Sequence, residues 1–401
     1  MKAIKYLFSI LAIALVCSAC VDYSDASEAV TAKVQLQLPD VLKGHMSLEG
    51  HTVSLQLNGV TYSAQTDAAG VATFSNIVPD VYNISTSWDI TSSEYNRITG
   101  SSQVINGATV SGSLNSQLIN GSEPLLLTTT LSVKRDIVIS KIYAAGSKDN
   151  NKRYVAGQYI ELYNQSNDSV DVAGLYIGLL ETDVPQAYTL DNLKTNYADS
   201  VVLVKQVFRI PTDKHYMVAP GGTVLLVNSA VDHSLNSPME HSLLKADFEA
   251  KDVKGKMLNN PEVPALQNVF NIYSGISYMN ILTTGQGVVI FRSSADISQL
   301  KLTYKFGKTS GTQYGLLPKR YIIDGVDFLR HKATGTDVGE KRLYNDIDAG
   351  YISINATAGL SGEVVYRKVT STTAVGQAIL MDTNNSSNDF QVSTTIAPRT
   401  F

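Results

Sequence analysis

Alternation of apolar and polar residues is the leading pattern of this chain. In VSLQLNGVTYSAQT (Val53 to Thr66), Val53, Leu55 and Leu57 alternate with Ser54, Gln56 and Asn58, the period-two signature of a half-buried strand. Asn58-Gly59 interrupts the run, and that dipeptide between alternating stretches predicts a hairpin. Over Thr66 to Ser85, Asp67 and Gly70 mark a turn and Ala72 and Phe74 point to a core. Pro79-Asp80 marks a second turn, and Tyr82 and Ile84 resume the alternation. Gly107, Gly112 and Gly121 punctuate further strands.

A second series begins near Val133. Ile137, Ile139 and Ile142 predict a strand, followed by a polar loop from Gly146 to Arg153. QYIELYN (Gln158 to Asn164) sets Ile160 and Leu162 against Glu161 and Tyr163, and a turn over Gln165 to Ser169 leads into VDVAGLYI (Val170 to Ile177). Apolar strands return at Pro220 to Ala230, Gly285 to Ser294, Arg320 to Leu329 and Val365 to Val369. Asp183 to Thr284 is too long for a loop in a compact domain. It is expected to be an insertion with strands of its own, such as Asp199 to Ile210, and a short helix in ADFEAKDVKG (Ala246 to Gly255). The predicted class is all-β: one β-sandwich over 33–132, then a second over 133–401 carrying an insertion at about 183–284.

The amino terminus follows a different pattern. Lys2 and Lys5 precede an apolar run from Tyr6 to Val16, and Ser18, Ala19 and Cys20 follow. This run of eleven positions, broken by Ser9 alone, is too short to span a bilayer as a helix, which needs about 20. Basic start, apolar centre and small-residue end form a secretory signal peptide. The chain has two cysteines, Cys17 and Cys20. A disulfide between them closes a tiny loop with little entropic gain, and a structural zinc site needs four ligands. Ser18-Ala19-Cys20 resembles a bacterial lipobox. That resemblance implies a signal peptide over 1–19, lipidation at Cys20, a linker over 20–32 and a lipid-anchored outer-membrane location, with the body on the cell surface. The alternative is an ordinary cleaved signal with a free thiol. Asp22, Asp25 and Glu28 resemble surface-export signals of Bacteroidota lipoproteins.

Three further resemblances concern the body. Thr66 to Ser85 resembles the carboxypeptidase regulatory-like, prealbumin-like sandwich, whose members serve as spacers or docking modules. Glu161, Leu162, Tyr163 and Asn164 with Gly174 and Leu175 resemble the lamin-tail domain, an immunoglobulin-like sandwich. Ala246 to Leu266, YIIDGVD and DTNNSSNDF together resemble a Bacteroidota lipoprotein family of unknown function. Such proteins are often encoded beside TonB-dependent outer-membrane receptors, and the resemblance implies an accessory role there.

Composition narrows the partners. Thirty-two Lys and Arg against 36 Asp and Glu give a formal net charge of −4. No basic block exceeds two residues, so nucleic acid is not an expected partner. Tyr is common, at 21 residues against one Trp. Tyr273, Tyr278, Tyr304, Phe306, Tyr314, Tyr321 and Tyr351 read as sheet-covering residues, with loop-borne recognition of sugars or proteins as the alternative.

Candidate chemistry is sparse. Asp232-His233 and Glu240-His241 repeat an acid–imidazole step, whose two imidazoles and two carboxylates could bind a transition metal, with Asp232, His233 and His241 as the candidate ligands. A polar surface loop explains the same residues. DTNNSSND offers Asp382 and Asp389 as oxygen ligands for calcium. It lacks an EF-hand glycine and a terminal Glu, and it also reads as a closing turn with Phe390 plugging the core. Asp168-Ser169-Val170 and Asp199-Ser200-Val201 resemble the O-glycosylation sequon of extracytoplasmic Bacteroidota proteins, which marks Ser169 and Ser200. A GxSxG elbow is absent, and Asp324 and Asp327 read as edge or turn residues. No cofactor is expected. The expectation is a non-enzymatic cell-envelope lipoprotein that binds a ligand or a TonB-dependent receptor. A structural or adhesive surface protein and a hydrolase are the alternatives.

Overall fold

The computed structural model describes residues 28–57, 60–99, 107–133, 136–181 and 188–401. The signal peptide and Cys20 lie outside the described residues. Regular structure among the described residues is predominantly strand, arranged in several sheets with only short helices, as the alternation predicts. It divides into two compact units. One runs to Trp88 and includes Ser111–Thr130; the other comprises Asp89–Val110 and Leu131–Phe401.

In the first unit, Val30–Gln37 pairs antiparallel with Val71–Ile77 and parallel with Pro124–Thr128. A second sheet runs Val60–Gln65, Thr52–Leu57, Asp80–Ile90, Ala108–Ile119 in spatial order. Leu57 pairs directly with Val60, which closes the expected hairpin; Asn58 and Gly59 themselves lie outside the described residues. The Asp67 turn forms as expected: its Oδ1 accepts from the amides of Ala69 and Val71, both at 2.9 Å, and Gly70 adopts φ +82°. Val53, Leu55, Ala72, Phe74, Tyr82 and Ile84 fill the core. The first strand begins at Val30, three residues before the expected boundary at Lys33. Ala32, Val34 and Leu36 share one alternating buried face, so the end of the supposed 20–32 linker is already strand.

Two sheets build the second unit. A six-stranded sheet runs Phe248–Glu249, Thr223–Val227, Tyr159–Asn164, Ile137–Tyr143, Val364–Arg367, Phe390–Ser393. A seven-stranded sheet runs Leu302–Tyr304, Gln313–Pro318, Val201–Arg209, Tyr176–Leu180, Gln286–Phe291, Ile322–Phe328, and Gln267–Asn271 also pairs with Val201–Arg209. The main core includes Ile139, Ile160, Leu162, Ile177, Phe208 and Ile290. A second core covers the other face of the seven-stranded sheet, with Val202, Val204, Val207, Phe291, Tyr314 and Leu343. Burial on both faces explains the consecutive apolar residues Val201, Val202, Leu203 and Val204 at the start of Val201–Arg209.

These strands correct the reading of 183–284 as an insertion. Val201–Arg209 lies inside the seven-stranded sheet and Thr223–Val227 inside the six-stranded one. The segment is framework because its strands have apolar faces that only the two main sheets can cover. No helix forms over Ala246–Gly255. Phe248 is pulled into the core as part of a short parallel strand, beside Leu226. Asp252 then ends any regular structure: its carboxylate takes the amides of Lys254, Lys256 and Met257.

The outer face of Tyr159–Asn164 is also buried, where alternation predicts a solvated one. Three distant pieces of chain cover it. Glu240 lies over Tyr143, Arg399 and Phe401 lie over Glu161, Lys141 and Tyr163, and Ala378 accepts from the Tyr163 hydroxyl at 2.7 Å.

Truncating a core side chain within 183–284 tests its framework role. Phe208→Ala should lower the unfolding free energy by about 3–5 kcal/mol in urea titration; a dispensable insertion would leave the main transition within about 0.5 kcal/mol of wild type.

Candidate functional site

The acid-rich closing segment folds around a guanidinium. Val364–Arg367 pairs with both Ile137–Tyr143 and Phe390–Ser393, which sets Arg367 in the interior, 2% exposed. Its NH1 reaches Asp382 Oδ1 at 3.1 Å, Asp389 Oδ2 at 3.4 Å and the Met381 carbonyl at 3.0 Å. NH2 donates to Asp324 Oδ2 at 2.9 Å and Nε to the Ile139 carbonyl at 3.0 Å. Phe390 stacks beneath, 4.6 Å from the guanidinium. Burial opposes the charge, but the three carboxylates outweigh it and hold the proton more firmly than usual.

A second internal cation lies close by in the chain. Lys341 Nζ donates to Asp327 Oδ2 at 3.0 Å and to the carbonyls of Asp348 and Gly350, both at 2.7 Å. Asp348 in turn accepts from Ser386 N and Oγ in the closing segment. Asp382 and Asp389, expected as calcium ligands, are therefore brought together, with arginine between them. The turn reading holds for the backbone: Asn385 caps the short helix Ser386–Asp389, and Phe390 is buried at 2% exposure. Asp324 and Asp327 lie on the edge strand Ile322–Phe328, as expected, and there they are buried ion-pair partners.

The acid–imidazole pair forms a different cluster. His233 and His241 face each other through backbone pairing, His233 N donating to the His241 carbonyl at 3.2 Å, but the side chains part. The His233 ring is fully buried. Its Nε2 lies 2.7 Å from the Ser229 carbonyl and its Nδ1 2.6 Å from the Tyr154 hydroxyl. A carbonyl can only accept, so Nε2 carries the hydrogen and Nδ1 accepts from Tyr154. Burial lowers the His233 pKa, which suits this neutral form. Both nitrogens are occupied, and neither is free for a metal. Burial also lowers the pKa of His241. Asp232 caps its own turn, accepting from Ser234.

Glu240, the second carboxylate of that acid–imidazole repeat, is the centre of this cluster. Its Oε1 accepts from Tyr143 at 2.7 Å and Ser147 at 2.5 Å. Burial raises its pKa, against the pull of those two donors. Oε2 lies against Gly157, where a Cβ would come within 2.0 Å. Among the described residues no group of three or more His, Cys, Asp or Glu side chains is arranged around a metal position.

Ser169 and Ser200 are both exposed in turns, accessible to a modifying enzyme. Of the aromatic residues expected to cover sheets, Tyr314 is core, Tyr273, Tyr278, Tyr304, Tyr321 and Tyr351 are half-buried, and Phe306 is 40% exposed.

Two recesses open on the second unit. One, of about 340 Å³, lies beside Tyr216, Met217 and Phe248, closed at one side by the Arg399–Asp247 pair. The other, of about 320 Å³, lies between Leu282–Gly287 and the segment after Phe328, and Glu181, Arg330, Lys332, Glu340 and Arg342 supply its charges. Sequence reasoning missed Arg342, Arg330 and Arg367. Arg367 pairs with Asp324, 43 positions away, and isolated arginines carry no local motif.

The buried carboxyls make stability depend on pH. Asp389 is pushed up to about 7 by burial, with Arg367 opposing and Asp382 reinforcing. Asp348 is pushed up to about 6 by burial, with Lys341 opposing and Asp327 reinforcing. Each holds its proton in the folded state above the pH at which the unfolded chain releases it. Between about pH 4 and pH 7 the native state therefore binds more protons, and this contribution to stability falls as pH rises. Asp389→Asn should flatten that fall in urea unfolding series; a slope as steep as wild type would contradict the assignment.

Comparison with known proteins adds the following. No curated protein matches the chain. Its fold is similar to the crystal structure of a DUF4876 family protein from Bacteroides thetaiotaomicron VPI-5482, with TM-score 0.56 and 21% identity, over 90% of this chain and 94% of that one. Residues 219–397 match the DUF4876 family, described as a protein of unknown function. That stretch holds Glu240, Arg342 and Arg367, so a DUF4876 family domain contributes both the closing segment and much of the charged recess.

Proposed function

We propose that this protein is a non-enzymatic cell-envelope lipoprotein, acylated at Cys20 and held on the outer membrane. It serves as an accessory ligand- or receptor-binding module beside a TonB-dependent receptor. The supporting observation is where the charged chemistry sits. The carboxylates of the closing segment are satisfied by Arg367, Asp327 is satisfied by Lys341, and the buried imidazole is held by a carbonyl and a phenol. Charged side chains reach solvent together in a recess, an arrangement suited to holding a ligand. The lipobox-like Ser18-Ala19-Cys20 agrees with an envelope location. The prealbumin-like and lamin-tail-like resemblances fit a spacer followed by a recognition unit.

Mass spectrometry of the native amino terminus should find acylated Cys20 as the first residue. Affinity capture in mild detergent should bring down a TonB-dependent receptor. An unlipidated start, or a protein that always purifies alone, would count against this function.

A further inference from the structure

We propose that the recess beside Leu282–Gly287 binds a small organic anion, a carboxylate or phosphate group on a compact apolar body. This deepens the binding role proposed above and rests on it. At about 320 Å³ the recess falls at the lower end of ligand-pocket volumes. Its charges do not cancel: Arg330, Lys332 and Arg342 face Glu181 and Glu340, three cations against two anions, in a chain of net charge −4.

The anchor is Arg342. It is 5% exposed and held from behind, NH1 donating to the carbonyls of Lys341 at 2.8 Å and Gly339 at 3.2 Å. Nε lies 2.8 Å from Glu181 Oε1 without hydrogen-bond alignment. NH2 makes no hydrogen bond among the described residues, so a fixed, nearly buried guanidinium keeps donor capacity in a residue that lines the recess. Guanidinium matches carboxylate and phosphate geometry better than ammonium does.

Arg330 is the second contact. It is exposed, lines the same recess and has no ion-pair partner among the described residues. Lys332 is engaged by Glu340 at 2.7 Å and Asp337 at 3.3 Å, which leaves Arg330 as the cation free to close on an incoming anion. Leu282 and the Phe328–Leu329 segment supply the apolar wall.

Titration calorimetry on the whole protein tests this with phenyl phosphate and phenylacetate as probes and benzyl alcohol as the neutral counterpart. At least one anion should bind saturably, more weakly at high salt, and benzyl alcohol should not. Arg330→Gln should weaken the anion about tenfold or more, while Lys308→Gln, the same charge change at an exposed position outside the recess, should leave it unchanged. No binding of either anion overturns the proposal, as does equal affinity in Arg330→Gln or an equal loss in Lys308→Gln. Acylation at Cys20 and receptor capture are read independently, so failure here does not imply failure there.

Discussion

The second unit depends on one buried charge. Arg367 sits between the edge of the seven-stranded sheet and the interior of the six-stranded one, and its partners come from both. Asp324 belongs to Ile322–Phe328, Ile139 to Ile137–Tyr143, and Asp382 and Asp389 to the closing segment. Asp324 Oδ2 also takes the Ile139 amide at 2.7 Å, so one carboxylate joins the two sheets directly and through the guanidinium. Removing such a charge from water costs several kcal/mol, and only near-complete hydrogen bonding offsets that. The closing segment must therefore dock in one geometry or leave the arginine unmatched.

The same logic recurs across the six-stranded sheet. Lys141 and Glu161 pair with no exposed side-chain surface, beneath Arg399 and Phe401. Burial lowers the Lys141 pKa, and Glu161 opposes that shift. Loops that cover a polar sheet face must bring counter-charges and hydrogen-bond donors with them, and here they do. The consequence for function is a division of roles. Charges deep in the fold hold loops in place, while Arg330 and Arg342 in the recess are the ones positioned to meet a ligand.

Local chemistry was legible in the sequence; distant coverage was not. Asp67 and Gly70 specify their turn by the hydrogen bonds of one side chain and one positive φ, all within five residues. The alternation of Val53, Leu55 and Leu57 with Ser54 and Gln56 reports a strand whose opposite face stays partly solvated, so period two survives. Glu161 and Tyr163 also alternate with apolar neighbours, yet their face is covered by residues near 240, 378 and 399, which no local pattern announces. The stretch 183–284 misled for a related reason: its strands pair with partners such as Leu317 and Leu162, far away along the chain, so length alone imitated an insertion. In DTNNSSND the acids were legible, but the cation that neutralises them is an arginine fixed by strand register.

The most direct measure of this account is the unfolding free energy of Arg367→Met against wild type, from urea titration at neutral pH. The carboxylates left behind would be buried without their cation, so a loss of about 3–5 kcal/mol is expected. A change within about 0.5 kcal/mol would contradict it and mean that the closing segment is held by something other than this guanidinium.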